Sequence, residues 1–290
     1  MIIFSALVSG MSLGAMYGLI ALGFHVTYIV SRTVNFSQGS SVMLGAVLGY
    51  VLVARYGWPI MVAAPAALLG CALLGLLIER VLVRPFVERQ SNAWLMATVA
   101  GGLLLDNLVL FTFGKEPRGF PPWLDDKPFI VFGVGITPLQ LVIPLVGSAV
   151  AVALWLVLTR SRFGKALSAS VQNSDAARLM GIDVGRLVAA TYALSSMLAG
   201  LAGLLIAPLY NVHAEMGTLF GLKAFAVAII GGITHAPGVM AAGLIYGIGE
   251  ALVTALLGST YTQIVMFSAV IATLALVPRG LFAAAALKKV

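Results

Sequence analysis

The chain has 290 residues, of which 61% are hydrophobic and 9% charged, and its mean hydropathy is +1.06. A water-exposed surface carries roughly 25% charged residues, so a soluble globular fold is excluded, as are a disordered chain and, with Cys71 standing alone, a disulfide scaffold. The formal charge of +7 lies in short gaps between apolar runs, which reads as orientation in a bilayer and not as a nucleic-acid surface.

About 20 apolar residues in a helix cross a bilayer core, so the charges mark the loops. Met1 to Ser31 carries no charge, no basic leader and no clear cleavage site, and is expected to be a retained membrane helix. Arg32 interrupts, Thr33 to Ala54 follows, then Arg55, then Tyr56 to Ile78. After the cluster Glu79, Arg80, Arg84, Glu88 and Arg89 comes Asn92 to Phe113, which holds Asp106. A polar loop runs from Gly114 to Thr137, and Pro138 to Leu158 is the next span. The longest hydrophilic stretch, Thr159 to Arg186, precedes Leu187 to Leu209. Gly217 to Gly238, with Lys223, is the weakest candidate; Val239 to Leu257 and Thr262 to Val277 complete the set.

The expectation is an all-α integral membrane protein, a polytopic bundle of eight or nine transmembrane helices in one domain over residues 1–290. The runs are too long for barrel strands, and a lipid-exposed backbone must satisfy its own hydrogen bonds. The Thr159–Arg186 loop holds Arg160, Arg162, Lys165, Arg178 and Arg186. Together with the Glu79–Arg89 loop and the end carrying Arg279, Lys288 and Lys289, it is expected in the cytoplasm. Nine spans then put the N-terminus outside. Small residues at spacing four, Gly10/Gly14/Gly18, Ser41/Gly45/Gly49 and Gly243/Gly247, read as helix-packing seams.

Enzyme signatures are missing. There is no phosphate-binding G-x-x-x-x-G-K-[ST] and no H-E-x-x-H, and His25, His213 and His235 are scattered. Neither catalysis nor a bound metal or cofactor is expected. Asp106 and Glu250 sit within apolar runs, where a charge is costly unless paired or facing a cavity. They read either as helix–helix hydrogen bonds or as the coupling group of a stand-alone ion-coupled carrier or channel. Arg32, Arg55 and Lys223 are expected to snorkel towards the interface.

Two polar breaks interrupt apolar sequence, Ser31 to Ser41 and Gly231 to Gly238, each followed by Val-Met and a Gly-rich helix. They read as irregular backbone lining a cavity or as ordinary tight loops. Within the long loop, SDAARLMG has helix punctuation: Ser174 as cap, Asp175 in the first turn, Gly181 at the left-handed end. The short helix, with Ala176, Ala177, Leu179 and Met180, reads as a docking knob for another protein or as a connector on the membrane surface.

DAARLMG resembles the E-A-A-x-x-x-G cytoplasmic motif of ABC-importer permeases, and VNFSQGSSVMLGA resembles the N-F-[AS]-H-G-[ED]-x-x-M-L-G-A signature of branched-chain amino-acid permeases. The stretches GLKAFAVAIIGGITHAPG and LVPRGLF are similar to later signatures of that family. The resemblance implies an importer permease in a bacterial inner membrane, multi-pass, with its C-terminus in the cytoplasm. It implies a second homologous permease subunit, two cytoplasmic ATPase subunits that do the ATP chemistry, and a periplasmic solute-binding protein. Asp175, Ala176, Ala177, Arg178 and Gly181 would couple to an ATPase. Asn35, Phe36, Gln38 and Gly39, with Gly231, Gly232, Pro237 and Gly238, would line the solute pathway. Gln38 stands where the signature has His and Ser40 where it has an acid, so the solute is open between apolar amino acids and related amides.

Overall fold

The computed structural model describes residues 2–121, 127–131, 134–277 and 280–282. The basic end at Arg279, Lys288 and Lys289 and the Pro278-Arg279 part of the late signature lie outside the described residues.

Twelve α-helices and one hairpin are formed among them. Helix α1 (Ile2–Ser31) is followed by α2 (Gln38–Tyr50), which continues through a π-helical turn at Val51–Arg55. Helix α3 (Ile60–Leu77) passes through a second π-helical stretch, Ile78–Val83, into α4 (Arg84–Val87). Helix α5 (Trp94–Phe113) stops at Gly114, whose φ of +95° a side chain would resist. Strands β1 (Phe129–Val131) and β2 (Val134–Ile136) pair antiparallel, Phe129 opposite Ile136. Helices α6 (Pro138–Arg160), α7 (Arg162–Gln172), α8 (Ser174–Leu179) and α9 (Val184–Ile206) follow. The last helices among the described residues are α10 (Met216–Ile230), α11 (Ala236–Leu257) and α12 (Ser259–Leu276).

Eight helical stretches are long and apolar enough to cross a membrane, α2 with its π turn and α3–α4 each counting as one. Helix α10 has only 15 residues, about 22 Å at helical rise. The ambiguity between eight and nine spans therefore rests on this one element.

Helix α1 lies at the centre, packed on α6, α9, α10 and α11, while α2 packs on α9 and α10. Lipid tails are as apolar as leucine, so close backbone approach, not apolar burial, joins helices in a membrane. The glycine seams supply it. A Cβ on Gly10 would lie 2.6 Å from Ile248 Cα, and one on Gly14 2.7 Å from Leu244 Cα. From the other side, one on Gly243 would lie 2.7 Å from Gly18 Cα. Helices α1 and α11 thus run antiparallel in direct backbone contact. The second seam sets Gly45 of α2 on Gly200 of α9. Helices α5, α6 and α12 turn Leu104, Phe111, Leu145, Ile264 and Ile271 outward.

Candidate functional site

The first break is irregular and deeply buried. Helix α1 ends at Ser31, Arg32 takes a φ of +55°, and the chain turns back so that α2 starts at Gln38, opposite Ser195 in the middle of α9. Buried polar groups need partners, and this segment finds them in side chains. Asn35 Oδ1 accepts from Ser37 N at 3.0 Å, and Ser37 Oγ donates to Thr98 O at 2.6 Å. The Gln38 carboxamide uses both ends on Ser195: Nε2 donates to the backbone oxygen at 3.1 Å, and Oε1 accepts from Oγ at 3.0 Å. Ser41 Oγ donates to Ser196 Oγ, and Thr33 and Tyr192 hydroxyls lie 2.6 Å apart. Asn35 and Gln38 are fully buried. Gln38 fastens the break to α9, Asn35 braces the break from within, and neither lines the space that Phe36 and Gly39 border.

That space is a cavity of about 180 Å³ between α1, α2, α5 and α10. Helix α10 begins against it: a Cβ on Gly39 would lie 2.6 Å from Gly217 O, and one on Gly221 2.8 Å from Gly39 Cα. The starts of α2 and α10 therefore meet inside the bundle. One wall is aromatic, with Phe225 packed on Phe24 and on Phe36 at ring-centroid distances of 5.5 and 5.3 Å. The other is polar, with Ser40, Thr218 and Asp106. Thr218 Oγ1 donates to Asp106 Oδ2 at 3.4 Å. Asp106 Oδ1 is buried with no hydrogen-bond partner among the described residues. Leu103 and Leu222 at the rim are exposed, so the cavity opens on the face between α5 and α10.

The second break has a different role in the packing. Gly231 and Gly238 abut, a Cβ on Gly231 falling 2.8 Å from Gly238 O. Gly232 has a φ of +75°, and His235 Nδ1 caps α11 by accepting from Gly238 N at 3.1 Å. His25 Nδ1 lies 2.7 Å from Ile233 O, and Leu281 N donates to Ile230 O. Pro237 borders a separate apolar cavity of about 370 Å³ with Leu22, Trp155 and Met240. Gly231, Gly232, Pro237 and Gly238 are thus not gathered with Asn35–Gly39; Gly217 is. In the sequence the start of α10 is marked only by Asn211, His213 and Glu215 shortly before Gly217.

The long loop folds as α7 and α8. The cap of α8 is Asn173 and not Ser174: its extended backbone, φ −156°, aims Oδ1 at Asp175 N and Ala176 N, both at 3.0 Å. Ser174 is already the first helical residue, too late to cap. Gly181 has a φ of +83°, and its N–H donates to Arg178 O. Ala177 is buried, while Leu179 and Met180 are 89% and 83% exposed. Asp175, Ala176 and Arg178 are exposed beside them.

Lys223 does not snorkel. Its ammonium lies 2.5 Å from Glu250 Oε1, both side chains 11% exposed, and Tyr17 Oη donates to Glu250 Oε2 at 2.9 Å. A partner within reach removes the need to extend towards water. Glu250 and Lys223 face cavities other than the Asp106 one.

A family model described as branched-chain amino acid transport system / permease component matches residues 6–274. The high-affinity branched-chain amino acid transport system permease protein LivH of Escherichia coli K12 is 31% identical over 295 residues, 97% of this chain and 96% of that protein. The corresponding protein BraD of Pseudomonas aeruginosa is 30% identical over 299 residues, 98% and 97% of the two chains. The autoinducer 2 import system permease protein LsrD of Enterobacter sp. is 31% identical over 222 residues, 74% of this chain and 64% of that one.

Proposed function

The chain belongs to the family of permease components of branched-chain amino acid transport systems, and from that premise we propose that it works as one half of an ATP-driven importer for a small amino acid with an apolar side chain. The ATP chemistry belongs to separate cytoplasmic ATPase subunits. A second homologous permease completes the membrane part, and a solute-binding protein delivers the solute from outside. The membrane is the bacterial inner membrane, with the α7–α8 face and the C-terminus in the cytoplasm.

The observation that carries this reading is α8, capped at both ends, anchored by one buried alanine and presenting Leu179 and Met180 bare. Exposed large apolar groups on a charged loop mark a docking surface more readily than a connector. An ATPase that closes on ATP pushes this handle, and α7 and α9 carry the push into the bundle. The moving parts are the starts of α2 and α10, where Gly39 meets Gly217.

The Asp106 cavity is the solute's resting place in this reading. The Phe24–Phe36–Phe225 wall suits an apolar side chain. The unpartnered Oδ1 of Asp106 suits an ammonium, and the positive starts of two helices suit a carboxylate. The test is labelling of Ser174→Cys in whole cells with a membrane-impermeant maleimide. Protection until the membrane is opened supports the reading; labelling of intact cells ends it, because no cytoplasmic motor could then reach α8.

A further inference from the structure

The ion pair of Lys223 and Glu250 stands apart from the Asp106 cavity, with α10 between them. Thr218, Gly221 and Leu222 face Asp106, whereas Leu219, Phe220 and Lys223 face the other way. Two spaces meet at the pair. One, of about 710 Å³, lies between the start of α1, the end of α11 and the start of α12; the other, of about 430 Å³, lies between α10 and the 211–215 segment. Lys223, Glu250 and Tyr210 border both. The pair is thus the partition between two cavities, each wide enough to admit a small molecule to it.

We propose that Lys223 and Glu250 are a binding site for a zwitterion, the solute's carboxylate taken by Lys223 and its ammonium by Glu250 when the pair parts. The proposal rests on the reading that the chain carries an amino acid, and it adds a second site on the solute's path, across α10 from the Asp106 cavity, that takes the charged ends in turn.

The chemistry follows from counting charges. A buried ion pair is costly to break when one member is left alone. A zwitterion exchanges one pair for two, so neither member is left bare. A solute with a single charge leaves one member unpaired, and a neutral amide gives neither a replacement. The rest of the cluster is built to keep Glu250 in place while Lys223 moves: Tyr17 Oη stays on Glu250 Oε2 at 2.9 Å. Lys223 is also 5.9 Å from the Tyr17 ring centre, within reach of the ring face. Tyr246 is 5% exposed, its ring is 5.6 Å from that of Tyr17, and its hydroxyl is buried without a partner among the described residues. It is an unused donor beside the charged groups. The site selects for the amino-acid backbone and is indifferent to the side chain, which the larger space accommodates. Selection among side chains falls to the aromatic wall on the far side of α10.

The test is equilibrium binding of radiolabelled leucine, valine, alanine and phenylalanine to the full chain in lipid nanodiscs, with leucinamide and 4-methylpentanoate as single-charge competitors. At least one amino acid binds saturably, neither competitor displaces it, and Lys223→Gln and Glu250→Gln each weaken binding roughly tenfold or more. The exchanged pair, Lys223→Glu with Glu250→Lys, keeps both charges and restores binding to within about threefold of the native chain. Binding unchanged in both single variants, displacement by either competitor, failure of the exchanged pair in a chain that keeps its thermal midpoint, or no saturable binding overturns the site. ATP-driven uptake by the native chain, measured separately, tells a failed site from a failed importer. Uptake that persists in both single variants sinks the site alone, and its absence in the native chain sinks the importer.

Discussion

Gly39 and Gly217, 178 positions apart in the chain, touch backbone to backbone: a Cβ on Gly39 would sit 2.6 Å from the Gly217 carbonyl oxygen. Two helices therefore begin at one point inside the bundle, and no side chain fits between them. Gly39→Val is expected to cost about 1–3 kcal/mol, the usual penalty of overpacking, and to abolish uptake. Gly119→Val, at a position with open space around it, leaves both unchanged. Thermal midpoints and uptake of the two variants check this.

Gln38 is expected to act through position and not through contact with solute. Gln38→Leu leaves Ser195 Oγ and its backbone oxygen without their partner, at about 1–3 kcal/mol for the lost buried bonds. The expected result is lower stability with the solute's apparent affinity unchanged in the molecules that remain folded. A change in solute preference at unchanged stability contradicts it.

Asp106→Asn removes the one carboxylate in the cavity between α5 and α10. Solute affinity is expected to fall roughly tenfold or more, while ATP dependence is kept. A stand-alone ion-coupled carrier with Asp106 as coupling group would instead lose its response to an ion gradient. Uptake with and without an imposed gradient separates the two.

Leu179→Asp and Met180→Asp touch residues 89% and 83% exposed. Stability is expected to change by less than about 0.5 kcal/mol, while ATPase subunits no longer co-purify with the chain. Retention of the ATPases in both variants removes α8 as the handle.

Much of this architecture is legible in the sequence because membrane helices announce themselves by uninterrupted apolar length. Helices α1 and α6 need nothing else, and the break at Asn35–Gly39 stands out because polar residues there have no lipid-compatible alternative. The start of α10 is harder to see. Gly217 sits between the polar Asn211–Glu215 run and an apolar helix, which looks like an ordinary loop until Gly39 is found against it. The Lys223–Glu250 pair is hidden for the same reason: its members are 27 residues apart on separate helices, Lys223 alone looks like a residue seeking the interface, and Glu250 alone names no partner. The cap of α8 lies one position before the expected Ser174, since Asn173 and Ser174 are both good cappers and only the extended backbone at Asn173 decides between them. The Gly231–Gly238 segment reads by composition as cavity-lining backbone or as a tight loop; its glycines make a tight helix–helix turn while Pro237 borders an apolar cavity.

The measurement that tests the account most directly is uptake of radiolabelled branched-chain amino acids into proteoliposomes. These hold this chain, a homologous permease and the ATPase subunits, with solute supplied on its binding protein. Uptake that requires ATP and stops with Leu179→Asp is the predicted result. Uptake by this chain alone, with no ATPase and no nucleotide, would contradict it.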